Sequence, residues 1–433
     1  MMRWPGLTLA LILGLLAAPA VAQSVYGCTD LASRIAIPSV EGANGVFYRI
    51  DPDLHMFHAF ADETVADLAE LSQVLAASGT TLIYLPVPTK ALAMPDQLPQ
   101  AARDLGFDLP IATTVYDDIL RRLADAGVLS ANLRSALRTA PEAPQSFYAT
   151  DERLTSAGAR RAAAALAEVI SATPGFVDLP KSRFETQATG TAELPSDTHA
   201  ILQRHCSIDL PPVLADTFAT TRFQSGTETT DTAIFGGGSS GQIAIVGTDY
   251  TGGAAANLAG FLAEATGLEV IEYTVPQGGS FAAISTYLTS RGFAENRPAY
   301  LVWANPVFNS LAQHGDAPLR ELVAAAGDTC RVALPLAAGV QANAVSADLT
   351  GLQAGQDYTL FVDADGAPAQ SARFSFVTTA GQTLIRDALR HPGQVATGRF
   401  YLSMTGLGPD LQSVRIDLDV PMGLNARVTA CFD

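Results

Sequence analysis

Between residues 45 and 305, segments with apolar residues at helical spacing alternate with short, continuously apolar runs. The helical spacing predicts helices at 63–77, 114–126, 156–170, 251–266 and 281–290. The apolar runs predict buried strands at 80–87, 128–133, 242–247, 268–275 and 299–303. Repeated strand–helix–strand order with continuously apolar strands is typical of a parallel sheet covered on both faces by helices. We therefore expect an α/β domain that binds its ligand at the carboxyl ends of the strands.

After Cys330 the pattern changes to short alternating runs separated by Gly, Pro and Asp. These runs predict strands at 357–363, 372–378, 399–403, 413–420 and 426–432. They are typical of a small β-sandwich, with one helix inserted at 383–390. The stretch from 186 to 241 has no regular period and ends in a Gly- and Ser-rich loop. We expect an α/β domain at residues 23–325 and a β-sandwich at 326–433.

The first 22 residues have the pattern of a secretory signal: Arg3, an apolar run at 7–16, and Ala20-Val21-Ala22 before the cleavage point. Cleavage there starts the mature chain at Gln23; a retained anchor is the alternative. No later stretch of about 20 apolar residues follows. The mature chain is therefore expected to have no membrane span and to lie outside the cytoplasm.

Acidic residues outnumber basic ones along the chain. Its 433 residues include 26 Lys and Arg against 43 Asp and Glu, a formal net charge of −17. This charge argues against nucleic acid or an anionic membrane as a partner. A polyanionic ligand would need a local basic patch.

All four cysteines, Cys28, Cys206, Cys330 and Cys431, lie in the exported part, where an oxidising compartment favours two disulfides. Four cysteines allow three pairings. We favour Cys28–Cys206 and Cys330–Cys431, because each pair then brackets one compositional block. The spacing lacks the Cys-x-x-Cys of zinc and redox sites, and we expect neither a metal nor a cofactor.

Several short motifs stand beside these cysteines and at the ends of the predicted strands. They are YGC at 26–28, LIYLPVPTK at 82–90, VYDD at 115–118, GTDY at 247–250 and QGGSF at 277–281. In these residues the chain resembles the periplasmic alginate O-acetylation proteins of the AlgX and AlgJ type. The resemblance implies a flavodoxin-like, SGNH-hydrolase-like domain joined to a carbohydrate-binding module. It also implies a periplasmic protein that acts on an acidic polysaccharide, a polyuronate, beside other exopolysaccharide export or acetylation proteins.

The chemistry of that family needs a serine nucleophile after a strand and an Asp-x-His pair before a helix. This chain departs from the pattern at two of the three positions. Asp249 stands where the serine belongs, and the second motif reads Asp151-Glu152-Arg153, with arginine in place of histidine. Arginine keeps its proton and cannot act as a general base near neutral pH. The triad positions therefore predict a degenerate catalyst.

Asp151, Arg153 and Asp249 together would place one cation between two carboxylates, which predicts a salt-bridge triad. The alternative is three unrelated surface charges. His55, in Asp53-Leu54-His55, is the first candidate for a substitute base. The other candidates are His58 and His205, and each of the three is otherwise a surface or packing histidine. Gly278 and Gly279 offer either an oxyanion N–H or only a tight turn.

The residues from Cys330 onward hold seven arginines and nine aspartates, so this part is nearly balanced in charge. Arg386 and Arg390 would share one helical face, and Tyr401 would share a strand face with Arg399. Guanidinium groups match carboxylates, and a tyrosine ring stacks on a sugar. These four residues are our predicted uronate-binding patch. Ordinary solvated arginines paired with nearby aspartates are the alternative.

The leading functional hypothesis is polymer binding or scaffolding in exopolysaccharide O-acetylation. The rival is an active O-acetyltransferase or esterase with a relocated nucleophile, for which the candidates are Ser239, Ser240, Thr248 and Thr251. A secreted structural protein without a carbohydrate ligand is the third hypothesis.

Overall fold

The computed structural model describes residues 24–58, 60–140, 142–223, 242–251, 253–327, 329–338, 341–353 and 356–432. The predicted signal segment and the candidates Ser239 and Ser240 lie outside these residues. The strands before residue 310 are β1 (Ser39–Glu41), β2 (Phe47–Arg49), β3 (Thr81–Val87), β4 (Arg183–Glu193), β5 (Leu214–Phe223), β6 (Ile243–Gly247), β7 (Val270–Thr274) and β8 (Tyr300–Pro306).

A four-stranded parallel sheet in the order β3-β8-β6-β7 forms the centre of this part. Every residue of β6 and β8 is buried, as expected for strands covered on both faces. Leu129 extends the sheet by a single parallel bridge to Ile83 of β3. Separate apolar cores lie against the two faces of the sheet. The predicted α/β architecture is confirmed.

Helices cover both faces of this sheet. They are α1 (Ile50–Leu54), α2 (Asp62–Ala77), α3 (Lys90–Ala93), α4 (Gln100–Asp104), α5 (Leu109–Asp125), α6 (Leu133–Leu137), α7 (Ser156–Ser171), α8 (Asp197–Gln203), α9 (Gly253–Ala256), α10 (Leu258–Thr266), α11 (Ala282–Thr289), α12 (Arg291–Glu295) and α13 (Ala317–Ala326). Local sequence sets their starts: the Thr155 hydroxyl accepts the Gly158 N–H at the start of α7. No helix of the described residues is both long and apolar enough to cross a bilayer.

Three predictions for this part need correction. The strand predicted at 128–133 is reduced to the single bridge at Leu129, because Asn132 already caps α6, which begins at Leu133. The helix predicted at 251–266 is broken into α9 and α10 at Asn257, whose φ of 57° is left-handed. The stretch that has no regular period contains α8 between β4 and β5, which pair as a long antiparallel ribbon. Most side chains of the ribbon are exposed to solvent, so its two strands carry no regular apolar pattern from which they could be predicted.

The C-terminal part consists of antiparallel strands. They are β9 (Val332–Ala333), β10 (Leu336–Ala338), β11 (Ala344–Asp348), β12 (Tyr358–Asp363), β13 (Ser371–Thr378), β14 (Thr383–Leu389), β15 (Arg399–Ser403), β16 (Leu411–Leu418) and β17 (Arg427–Phe432). Five of them form the sheet β10-β11-β16-β13-β14, and four form the sheet β15-β12-β17-β9. Side chains from both sheets, among them Phe374, Ile416, Leu360 and Phe400, share one buried core. This is the predicted β-sandwich.

The helix predicted at 383–390 is wrong, because these residues form the edge strand β14. Leu384 and Ala388 pack against the sandwich core, while backbone hydrogen bonds pair the strand with β13. Residues four positions apart lie on the same face both in a helix and in a strand, so the spacing of Leu384 and Ala388 does not distinguish a helix from a strand.

Disulfides join Cys28 to Cys206 and Cys330 to Cys431, which is the pairing that the sequence analysis favours. The first ties the N-terminal segment to the turn after α8. The second ties the entry of the sandwich to its last strand, β17.

Candidate functional site

Three segments meet at the carboxyl edge of the parallel sheet. Asp249 follows β6, Lys90 follows β3, and Asp151 and Arg153 lie on the loop that leads into α7. The Leu154 N–H donates to the Tyr250 carbonyl at 3.2 Å, which joins the loop to the segment after β6. The structure thus brings together the segments that carry the three predicted triad positions.

Arg153 and Asp151 form a tight ion pair. The Arg153 Nε donates to Asp151 Oδ1 at 2.8 Å, and its Nη2 donates to Oδ2 at 2.8 Å. The Arg153 backbone N–H also donates to Oδ1 at 2.8 Å, and Nη2 makes a second bond to the Pro195 carbonyl at 2.8 Å. The Asp151 side chain is only 2% exposed and that of Arg153 16%. Bidentate, charge-assisted pairing of this kind fixes both side chains.

This pairing determines the charge of both groups. Burial alone would raise the pKa of Asp151, but hydrogen bonds from Arg153 and Ser196 outweigh it and hold the pKa below the usual range. The hydrogen bond to Asp151 raises the pKa of Arg153 further above its ordinary value. Arg153 therefore stays protonated and cannot act as a general base near neutral pH.

Asp249 begins a short 3-10 turn, Asp249–Thr251, and is half-buried. The negative charge of Asp249 also raises the pKa of Arg153 and so helps to keep the guanidinium protonated. Within the part of the chain that the structure describes, no ion pair of 4.0 Å or less joins Asp249 to Arg153. The predicted bridge of one cation between two carboxylates is therefore formed on the Asp151 side only.

Lys90, which the sequence analysis did not single out, anchors the loop that carries Asp151. Its buried ammonium group donates to the carbonyls of Tyr148 at 2.6 Å, Ala149 at 2.9 Å and Asp151 at 3.1 Å. Burial lowers the pKa of Lys90 to about 8, although nearby carboxylates, above all Asp53, counteract this shift. The available signal was a lysine directly after a fully apolar strand.

Arg49, Asp53 and Tyr250 form a second cluster that was also missed. The Arg49 Nε lies 3.1 Å from Asp53 Oδ2, and Arg49 Nη2 donates to the Tyr250 hydroxyl at 2.6 Å. The Arg49 guanidinium lies 5.3 Å from the centre of the Tyr250 ring and 5.2 Å from that of Phe308. The cluster connects β2 and α1 to the segment after β6 and so supports the backbone at Asp249.

The structure places the candidate substitute bases elsewhere. His55 and His58 lie together beyond α1, with ring centres 6.0 Å apart, and His205 lies beside the first disulfide. Among the described residues, no hydrogen bond joins any of these three histidines to Asp151 or Asp249. They do not rebuild a base at the triad positions.

The remaining nucleophile and oxyanion candidates are occupied locally. Thr248 Oγ1 accepts the Tyr250 N–H at 3.3 Å, and Thr251 Oγ1 donates to the Thr248 carbonyl at 3.3 Å. The Gly278 N–H donates to the Val275 carbonyl at 3.0 Å, and a Cβ on Gly278 would lie 2.6 Å from Val275. Gly278 therefore belongs to a tight turn.

Of the four residues in the predicted uronate patch, two are bound within the protein. Arg390 is 7% exposed and donates to Glu321 Oε2 at 3.0 Å and to the Arg399 carbonyl at 3.0 Å. Arg399 is 13% exposed and pairs with Asp363 at 3.2 Å. Arg386 is exposed at the edge of the sandwich. Tyr401 stacks on Phe361 with ring centres 4.5 Å apart.

A cleft of about 510 Å³ lies between α11 and α13 on one side and β14 and β15 on the other. Its lining residues include Phe281, Asp316, Glu321, Arg386, His391 and Tyr401. The described residues contain no group of three or more His, Cys, Asp or Glu side chains that could hold a metal ion.

Comparison with known proteins agrees with this architecture. Residues 40–307 match a family model described as the SGNH hydrolase-like domain of the acetyltransferase AlgX. The chain belongs to this AlgX family. The alginate biosynthesis protein AlgX of Pseudomonas aeruginosa is 29% identical over 274 residues, which cover 63% of this chain and 56% of that protein. The probable alginate O-acetylase AlgJ of Pseudomonas fluorescens is 29% identical over 246 residues, 54% of this chain and 58% of that protein.

These matches span little more than half of either AlgX-family relative. The solved structure of Pseudomonas aeruginosa AlgX is similar over 92% of this chain and 95% of that chain, with a TM-score of 0.76 and 23% identity. The O-acetyltransferase domain of Pseudomonas putida AlgJ covers 66% of this chain and 98% of its own, with a TM-score of 0.52 and 21% identity. The SGNH-like domain followed by an antiparallel C-terminal part is thus a fold shared with AlgX.

Proposed function

We propose that this protein is a periplasmic, AlgX-like component of alginate or related exopolysaccharide biosynthesis that binds the polymer without acetylating it. The observation that carries the proposal is the Arg153 guanidinium locked on Asp151. Acyl transfer by the family chemistry needs a group that takes a proton from the nucleophile. Arg153 holds its proton, and Asp249 has no hydroxyl to be activated.

The cleft between the sheet domain and the sandwich is the proposed binding site for the polyuronate. Arg386 is an exposed cation of its lining, which also holds Arg320 in an ion pair with Asp316, and Tyr401 supplies an aromatic wall. Arg390 and Arg399 support the cleft from within, because Glu321 and Asp363 already neutralise them. A local cation of this kind offsets the repulsion between an acidic chain and an acidic polymer.

Titration calorimetry with uronate oligomers tests this assignment. Arg386→Ala should weaken binding by roughly 1.5 to 3 kcal/mol, the value of a charge-assisted hydrogen bond, and binding should weaken as salt is raised. Arg183→Ala, which removes an exposed arginine on the β4–β5 ribbon, is the matched control and should leave the affinity unchanged. Equal affinities for wild type and Arg386→Ala would place the polymer elsewhere.

A further inference from the structure

A second pocket, of about 270 Å³, opens where α1 and β8 end. Its lining residues include Asp51, His55, Phe57, His58, Phe308 and Gln313. It shares no lining residue with the cleft of the proposed function. Nothing in the uronate-binding proposal uses this pocket.

Phe57 is the conspicuous residue of this pocket, because 74% of its surface is exposed. A single exposed apolar side chain is common on a protein surface, but this ring borders a concave pocket that also carries polar groups, which is the combination expected of a ligand site. The Asp51 carboxylate and the Gln313 amide also line this pocket and supply acceptors and donors for hydroxyl groups. We propose that the pocket binds an uncharged pyranose ring of a saccharide, stacked on Phe57.

The charges in the pocket favour an uncharged ligand over a uronate. Its lining residues include no lysine or arginine, and Asp51 would repel a carboxylate. Burial and the neighbouring His55 ring lower the pKa of His58 to about 4, so this imidazole is uncharged at neutral pH. The nearby Arg49 guanidinium is already bound to Asp53 and Tyr250.

The pocket lies next to the degenerate triad. Phe308, one of its walls, packs on Tyr250 with ring centres 5.1 Å apart, and Tyr250 directly follows Asp249. A saccharide bound at Phe57 would therefore lie at the same sheet edge as the triad positions. This inference does not depend on uronate binding in the cleft, since the two pockets and their ligands differ in charge.

Saturation-transfer NMR on the full chain tests the pocket, with neutral mannose and glucose tetrasaccharides as probes and a tetrauronate for comparison. The neutral probes should receive saturation from the wild type. Phe57→Ala should reduce their affinity about ten-fold, which corresponds to roughly 1.4 kcal/mol. Phe57 is exposed, so this variant should fold. Phe223→Ala, which removes another exposed phenylalanine, is the matched control.

Two results would overturn the inference. One is the absence of saturation transfer to both neutral probes in the wild type, and the other is transfer that Phe57→Ala leaves unchanged. Arg386→Ala should weaken binding of the tetrauronate and leave binding of the neutral probes unchanged. Loss of tetrauronate binding in Phe57→Ala would instead show that the pocket binds the acidic polymer, which would contradict the proposal.

Discussion

Arg153 is a fixed cation, and the residues around it hold it in one place. The guanidinium satisfies Asp151, a nearly buried carboxylate, and also binds the Pro195 carbonyl. Removing the guanidinium leaves the nearly buried Asp151 carboxylate without its cation, which is costly in a protein interior. The same residue thus explains both the expected loss of chemistry and the integrity of the loop before α7.

Arg153→Ala should lower the free energy of unfolding at pH 7 by about 2 to 3 kcal/mol, less than for a fully buried pair because Arg153 is partly exposed. The folded-state pKa of Asp151 lies below its ordinary value of 3.8, so the ion pair stabilises the fold above that pH. This stabilisation is lost as the pH falls through the folded-state pKa. We therefore expect the difference in free energy of unfolding between wild type and Arg153→Ala to be smaller at pH 3 than at pH 7. Urea unfolding at the two pH values measures it.

The control for that series is Arg121→Ala, because Arg121 forms only exposed ion pairs on α5. Because these pairs are solvent-exposed, Arg121→Ala should leave the free energy of unfolding nearly unchanged at both pH values. A wild type and an Arg153→Ala variant of equal stability at pH 7 would show that Asp151 does not depend on the guanidinium.

The sequence predicted some residues of the site and missed others. The resemblance to the AlgX and AlgJ proteins, and not local spacing, predicted that Asp151, Arg153 and Asp249 lie close together. Lys90 and Arg49 act through contacts with residues far away in the sequence, such as the Tyr148 carbonyl and the Tyr250 hydroxyl. No local spacing encodes those partners.

Among the secondary-structure elements, β7 and α10 are coupled through a buried carboxyl group. Glu272 lies on β7, the edge strand of the parallel sheet, and accepts a hydrogen bond from the Ala259 N–H in the first turn of α10. Its Oε1 atom is buried, and no hydrogen-bond partner for it is found among the described residues. Burial raises the pKa of Glu272 from 4.5 to about 7, so its ionisation opposes folding.

Glu272→Gln should therefore stabilise the protein in a pH-dependent way. The penalty for the ionised carboxylate is absent below pH 4.5, grows between pH 4.5 and 7, and is complete above pH 7. At about 1.4 kcal/mol per pKa unit, the gain at pH 8 is at most roughly 3 kcal/mol. Thermal unfolding at pH 4.5 and pH 8 measures it. The exposed Glu295 on α12 provides the control, Glu295→Gln, and a gain independent of pH would contradict the account.

The errors in predicted elements have a common cause. The spacing of Leu384 and Ala388 fits a helix and a strand equally, and only pairing with β13 decides in favour of β14. The break between α9 and α10 at Asn257 likewise depends on a distant contact, since its side-chain amide donates to Thr220 of the ribbon. At both places, contacts with residues distant in sequence determine the structure. The buried parallel strands, in contrast, could be predicted from their continuous apolar runs alone.

For the whole molecule, the contact between the sheet domain and the sandwich is polar and largely buried. The Gln394 Nε2 atom lies within hydrogen-bond distance of the Ala282 carbonyl at 2.7 Å, Ser285 Oγ at 3.0 Å and Thr286 Oγ1 at 2.8 Å, all on α11. The ion pair between Arg390 and Glu321 lies beside it. This network holds the two walls of the cleft together.

Glu321→Gln should loosen that contact, because it leaves the Arg390 guanidinium nearly buried beside a neutral amide. We expect a loss of about 2 to 3 kcal/mol and, in scanning calorimetry, separate unfolding of the two parts. Asp316→Asn, an exposed substitution in the same cleft, should keep the wild-type profile. An unchanged single transition in Glu321→Gln would show that the ion pair does not couple the two parts.

The most direct test of the central claim is turnover by the purified wild-type protein. We expect no hydrolysis of an acetyl ester and no acetyl transfer to a uronate oligomer above the buffer rate, because Arg153 holds its proton and Asp249 has no hydroxyl to be activated. The paired change Arg153→His with Asp249→Ser restores the Asp-x-His and the serine and is the variant expected to gain weak esterase activity. Wild-type turnover that persists when Arg153 and Asp249 are both replaced by alanine would contradict the degenerate-site account and move the chemistry elsewhere in the protein.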